Sequence, residues 1–330
     1  MEPSRFPIAR PRRLRRTAAL RTAVREATLT PSQLVAPLFV KEGIAEPQPV
    51  RSMPGVVQHT RDSLVAQVKE LRAAGITTFL LFGIPQRKDA EGSEAWNPHG
   101  VVQRALTALR ENHGDEVVLI ADTCLDEYTD HGHCGPVRPD GTVDNDASNA
   151  AYARSAVSQA EAGSDIVAPS GMMDGQVGVI RAALDSAGFA ETAGIMSYCS
   201  KYASGFYGPF RDAGECAPRF GDRTTYQMDP GNAGEAVREA LADVAEGADI
   251  LLVKPATPYL DVVYRVKHAT GMPLAAYHVS GEYAMVHAAA ANGWLDHDRV
   301  MAETLLSIRR AGADLVITYA AGWMARRLAG

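Results

Sequence analysis

Two lysines have the type and the position for covalent chemistry. Lys201 follows the apolar run Gly194–Ser200 in MSYCSKYASGFYGPFR, and Lys254 follows another in ILLVKPATPYLD. Lysine rarely sits at an apolar strand position. Burial favours its neutral amine, which is the form that attacks a ketone to give a Schiff base. If the two runs are neighbouring strands, about 4.8 Å apart, both amines share one cavity and each ammonium lowers the other's pKa. The competing reading, that each lysine snorkels to water along its stem, is the weaker one for two lysines at adjacent strand ends.

A second group lies in DTCLDEYTDHGHCG, Asp122 to Gly135. Cys124, Asp126 and Cys134 could supply three ligands to one ion. Strand positions i and i+2 face the same side, and the loop returns Cys134. Thiolates favour Zn²⁺, whereas a carboxylate also accepts Mg²⁺. Three protein ligands with a fourth position open describe a catalytic site more than a structural one. His131 and His133 could support the ligands from behind. A polar loop with incidental cysteines is the alternative.

Arg211 and Arg223 flank the Gly-rich segment Tyr202 to Gly221, which reads as a lid. Arginine binds carboxylates bidentately, so the pair could hold an acid substrate, or they are solvated loop charges. Tyr277 and Ser280 sit at the end of the seventh apolar run and Tyr319 at the end of the eighth, where hydroxyls could bind a second carboxylate or serve structure alone. Cys199, two residues before Lys201, is expected on the same strand face as part of the core. Cys216 is expected to be a lid residue without a special role.

These groups need a frame. One module recurs: a helical stretch, a small residue with Gly, then a β-branched or apolar run. It reads in RAAGITTFLLFG, EAGSDIVAPS, AEGADILLVKP and RAGADLVITYA. The Gly is a helix C-terminal signal, because it reaches left-handed φ without strain. The Asp is expected to open the turn into the strand. Val35–Val40, Val117–Cys124, Gly194–Ser200 and Pro273–Val279 add four strand candidates. Eight near-continuous apolar runs between helices mean strands buried on both faces. They predict an α/β fold, a TIM (β/α)8 barrel, with chemistry at the C-terminal strand ends. No GxGxxG follows the first run, which argues against a dinucleotide-binding domain. Residues 1–30 read as an arm outside a barrel spanning 31–330.

Composition agrees. The chain has 330 residues, 46% hydrophobic, with a net charge of −6, which gives no general case for nucleic acid. No apolar run approaches the roughly 20 residues of a membrane span. Four cysteines do not make a disulfide scaffold, so reduced thiols and the cytoplasm are the expected setting. Arg5 to Arg25 is rich in Arg and has no secretory core. It reads as a transit peptide, a subunit-docking arm or a solvated tail.

The ordered motifs RRLR, LVAPLFV, SMPGV, FGIP, DTCLDEYTDHGHCG with VDND, APSGMMDGQV, SKYASGFYGPFR, YQMDP, LLVKPATPYLD, VSGEYAM and RAGADLVITYA together resemble the porphobilinogen synthase family over nearly the whole chain. The resemblance implies a TIM barrel whose arm wraps a neighbouring subunit, usually in a homo-octamer. It implies condensation of two 5-aminolevulinate molecules to porphobilinogen with loss of two waters. Lys254 would hold the substrate that becomes the propionate half, and Lys201 the one that becomes the acetate half. Arg211, Arg223 and Gln227 would surround the second substrate, with Asp122 and Ser170 near its amine. Ser280 and Tyr319 would bind the first substrate's carboxylate. Glu239 would ligate an allosteric Mg²⁺. The zinc-dependent branch has a third Cys where this chain has Asp126, and another branch lacks all three. The expected metal is Zn²⁺, in a set that lies between the two branches. A class I aldolase on the same barrel and a non-catalytic metal or assembly protein are the rivals. The second lysine and the Cys-Asp-Cys loop argue against the first, and the complete set of catalytic candidates against the second.

Overall fold

The computed structural model describes residues 5–329; residues 1–4 of the expected arm and residue 330 lie outside the described residues. Eight parallel strands form the centre: β1 (Leu34–Lys41), β2 (Thr78–Ile84), β3 (Val118–Thr123), β4 (Ile166–Pro169), β5 (Gly194–Lys201), β6 (Ile250–Lys254), β7 (Leu274–His278) and β8 (Leu315–Thr318). Each pairs with the next. The sheet closes where Leu34 and Val35 pair with Val316 and Ile317. This is the expected barrel, with each of the eight runs present as a strand. Two short strands, Gln48–Pro49 and Val57–His59, extend it beside β1.

The helices that cover the barrel include α1 (Arg61–Ala73), α2 (Val101–His113), α3 (Asn145–Glu161), α4 (Gln176–Ser186), α5 (Ala233–Glu246), α6 (Leu260–Thr270), α7 (Ser280–Ala291), α8 (His297–Ala311) and α9 (Ala321–Ala329). Three of them start at side-chain caps that satisfy otherwise orphaned N–H groups. Thr60 caps α1, Asp144 caps α3 and Asp296 caps α8. Gly247 ends α5 at φ 105°, a backbone state that side chains resist.

The recurring Gly-x-Asp module has a second use at the barrel bottom. The Asp165 carboxylate accepts from the Leu119 N–H, Asp249 from Ile195 and Asp314 from Leu274. Each Asp entering one strand thus caps the first peptide of the strand before it. The module serves the inter-strand seam as well as the local turn.

The arm residues from Arg5 onward include a 3-10 turn, Pro11–Arg15, and a short helix, Ala18–Ala23, neither with a buried residue. Phe6 and Ile8 are 76% and 80% exposed. Among the described residues no helix is long and apolar enough to cross a membrane.

Candidate active site

Lys201 and Lys254 are the last residues of β5 and β6, and they pair in register. Both are buried. The Lys201 ammonium donates to the Ser170 carbonyl at 2.6 Å. The Lys254 Nζ sits in an aromatic cage, 4.9–5.3 Å from the ring centres of Tyr277, Phe210, Tyr207 and Tyr198.

The two amines differ. Burial and the neighbouring Lys201 charge pull Lys254 down to about 8. For Lys201 burial acts in the same direction, but the negative fields of Cys134, Cys124 and Asp126 outweigh it, and its pKa is raised. This corrects the expectation that each lysine lowers the other: only Lys254 is lowered. Burial pushes Asp122 up to about 6, against the pull of both lysines.

The loop after β3 brings Cys124, Asp126 and Cys134 together. One ligand atom from each lies within 4.8 Å of the others, and all three residues are buried. Burial raises the Cys124 thiol, whereas the hydrogen bond from Cys124 lowers Cys134. Asp126 is opposed by burial but held well below the usual range by Arg223 and Lys201. Its Oδ2 is 2.7 Å from Arg223 Nη1. A lowered thiol, a second sulfur and an ionised carboxylate suit a borderline divalent metal, so the set fits an ion. His131 and His133 do not join it. His133 Nδ1 meets the Tyr226 hydroxyl at 3.1 Å and its Nε2 the Phe220 carbonyl at 3.0 Å, so it braces the lid.

The expected lid closes the barrel mouth. Its base is fixed where Met228 N–H donates to the Lys201 carbonyl and Ala203 N–H to the Met228 carbonyl. Phe210 lies over Lys254, and its N–H donates to the Ser280 hydroxyl at 3.0 Å. Arg223 also donates to the carbonyls of Gly132 and Cys216. Beneath the lid the cavity is about 10 Å³, lined by Phe82, Asp122, Asp126, Glu127, Ser170, Lys201, Tyr207, Phe210, Arg211, Arg223 and Lys254. That holds no more than a water. Asp122 Oδ1, Glu127 Oε1, Arg211 Nε and Arg223 Nε are buried there without a protein hydrogen-bond partner, a set of polar atoms suited to a polar ligand.

The remaining expected residues are distributed around this centre. Ser170 donates to Asp122 at 3.2 Å. The Tyr277 and Tyr319 hydroxyls are 2.9 Å apart. Ser280 is the first residue of α7 rather than a strand end, and it also donates to the Phe206 carbonyl at 3.3 Å. Gln227 and Glu239 line a separate cavity of about 750 Å³ outside the lysine pocket. Glu239 is on α5, and burial with the nearby Asp174 and Glu235 charges raises its pKa.

One expectation fails on strand geometry. The pairing of β5 with β6 shifts register between Ser197 and Ser200. This bulge places Tyr198 with the lysines, 5.8 Å from Lys201 Nζ. Cys199 instead faces Leu252 and the α5 acids Asp243 and Glu239. Cys199 and Lys201 therefore do not share a face, because an extra residue breaks the two-residue period. Cys216 is buried beside this site, its sulfur within 4.8 Å of Asp126 and Glu127 ligand oxygens. Glu127 and three of the four cage rings, Tyr198, Tyr207 and Phe210, were missed from sequence, whereas Tyr277 was among the expected residues. For Glu127 a signal existed, an acidic pair inside an otherwise buried loop.

The profile of the family described as "Delta-aminolevulinic acid dehydratase" matches residues 8–327. A protein of that name from Synechococcus elongatus is 55% identical over 327 residues, 98% of this chain and 100% of the relative. One from Mycobacterium tuberculosis is 54% identical over 330 residues, 98% and 100%. Among solved structures, the Toxoplasma gondii delta-aminolevulinic acid dehydratase in complex with porphobilinogen superposes with a TM-score of 0.95 at 45% identity. The match covers 98% of this chain and 92% of that one.

Proposed function

The chain belongs to the delta-aminolevulinic acid dehydratase family, and from that membership and the site's geometry we infer that it is a hydro-lyase condensing two 5-aminolevulinates to porphobilinogen. The observation that carries the reading is the pair of buried lysines in register under one lid, with unlike proton affinities.

The chemistry follows from that difference. With a pKa of about 8, Lys254 has an accessible neutral amine and attacks the ketone of the substrate destined for the propionate half. Loss of water leaves an iminium, which acidifies the adjacent carbon. Lys201 is held as an ammonium until its proton moves, so it engages the second substrate later. One C–C and one C–N bond form, two waters leave, and both lysines return as free amines. Asp122, hydrogen-bonded to Ser170 and pushed up to about 6, exchanges protons near neutral pH beside the second substrate's amine. Arg211 and Arg223, which line the lysine pocket, hold that substrate, and Tyr277, Tyr319 and Ser280 hold the first substrate's carboxylate. Lid closure excludes water, which strengthens each of these charge contacts.

Cys124, Asp126 and Cys134 would hold Zn²⁺, which supplies Lewis acidity to a substrate oxygen. Glu239 would hold Mg²⁺ through one carboxylate and waters, acting on assembly and activation. Residues 1–30 are the arm that joins subunits into a homo-octamer, 31–330 form the catalytic barrel, and the enzyme works in the cytoplasm.

Incubation with 5-aminolevulinate tests the reading. A pyrrole product containing all ten substrate carbons is expected; consumption without pyrrole, or no consumption in metal-replete enzyme, would overturn it.

A further inference from the structure

A third cavity, of about 430 Å³, lies on the outer side of β1 and β8, and none of Cys124, Asp126 and Cys134 lines it. Helix α7 brings His287 to its wall and the start of α8 brings His297. The two Nε2 atoms are 3.4 Å apart. The ring centres are 4.5 Å apart and the planes are tilted by 51°.

This separation exceeds the usual length of a hydrogen bond between such groups. It matches the spacing of two imidazole nitrogens on one tetrahedral ion at about 2.0–2.1 Å from each. A carboxylate completes the arrangement: His297 Nδ1 is 2.8 Å from Asp298 Oδ1. A ring that donates from Nδ1 to this carboxylate leaves Nε2 a lone pair for a metal, as carboxylates behind metal-binding histidines arrange. Both histidines are half-buried. Burial and the neighbouring His297 lower the pKa of His287, which favours the neutral, ligating ring. Imidazoles without carboxylate ligands select Zn²⁺, Cu²⁺ or Ni²⁺ over Mg²⁺.

We propose that His287 and His297 form a further metal site, apart from the Cys124 and Glu239 sites, for a divalent transition ion of the Zn²⁺ class, with Asp298 orienting His297 and waters in the cavity completing the coordination. An ion there would lie behind a wall of the reaction site. The Tyr283 ring is 4.3 Å from His287 and 5.9 Å from Tyr319, whose hydroxyl meets Tyr277.

The test is equilibrium dialysis of the full-length oligomer against Zn²⁺, with bound metal counted per subunit. The parent should bind one equivalent more than His287→Gln or His297→Gln. Asp298→Asn should keep that equivalent with a Kd raised about tenfold or more. Equal zinc content and affinity in the parent and both histidine variants would overturn the proposal and leave a hydrogen-bonded histidine pair only. Cu²⁺ added to the parent gives a reading that does not depend on any variant's folding. Electron paramagnetic resonance should show coupling to two imidazole nitrogens, and a spectrum without nitrogen coupling would also overturn it.

Discussion

Lys201 and Lys254 stand opposite one another at the ends of adjacent strands, yet the protein treats their protons differently. Lys254 faces aromatic rings and a like charge, whereas Lys201 faces two sulfurs and a carboxylate. Like neighbours lower an amine's pKa and opposite charges raise it. Under the proposed Schiff-base chemistry, the aromatic-caged lysine is the one expected to react first.

That order has a pH signature. The attacking form of Lys254 is the neutral amine, so its reaction should rise with pH through about 8. Below that point the initial rate of Schiff-base formation should fall about tenfold per pH unit, and above it the rate should level off. Lys201→Met removes the like charge and should move the inflection upward. Rapid-mixing measurements across pH check this; an inflection that does not move would show that Lys201 does not act on Lys254.

The closed cavity has no space for two five-carbon acids, so the lid must open for substrate. Gly281 sets how closely it can seat. A Cβ at that position would stand 2.5 Å from the Phe206 carbonyl oxygen. Gly281→Ala should displace the Phe206–Phe210 segment, raise KM and lower kcat, while circular dichroism stays that of the parent. Unchanged kinetics would mean that this seating does not matter for turnover.

Much of this arrangement was legible in the sequence because it rests on local patterns. The eight apolar runs and their Gly-terminated helices predict the barrel, and a lysine closing an apolar run marks a strand end. The difference between the lysines was not legible. It comes from Cys124, Asp126 and Cys134, which approach Lys201 only after the barrel closes. Tyr198 was hidden by the bulge between Ser197 and Ser200, since a strict two-residue period places it outside. The clamps made by Asp165, Asp249 and Asp314 were half visible: the motif was plain, but its partner in the preceding strand is long-range.

The metal assignments separate by chelation and single-metal rescue. Zn²⁺ should restore activity to the parent and fail with Cys124→Ala. Mg²⁺ added to the zinc-reconstituted enzyme should stimulate the parent and fail to stimulate Glu239→Ala. The carboxylate of Asp126, already paired with Arg223, should make zinc binding looser than in a three-thiolate site, and Asp126→Cys should tighten it. Full activity in strong chelator with no bound metal by mass spectrometry would contradict both assignments.

The arm bears apolar side chains exposed in the single chain, Phe6, Ile8 and Leu14 among them. Deleting residues 1–25 should reduce the oligomer's mass in light scattering. An unchanged mass would return the segment to a solvated tail.

The central claim is covalent capture of substrate by the buried lysine pair, with Lys254 first. Borohydride added during turnover of 5-aminolevulinate, followed by peptide mass spectrometry, reads it directly. The account predicts a reduced adduct on the peptide carrying Lys254, its loss in Lys254→Ala together with turnover, and later, weaker labelling at Lys201. Labelling of neither lysine in an enzyme that still makes pyrrole would contradict it.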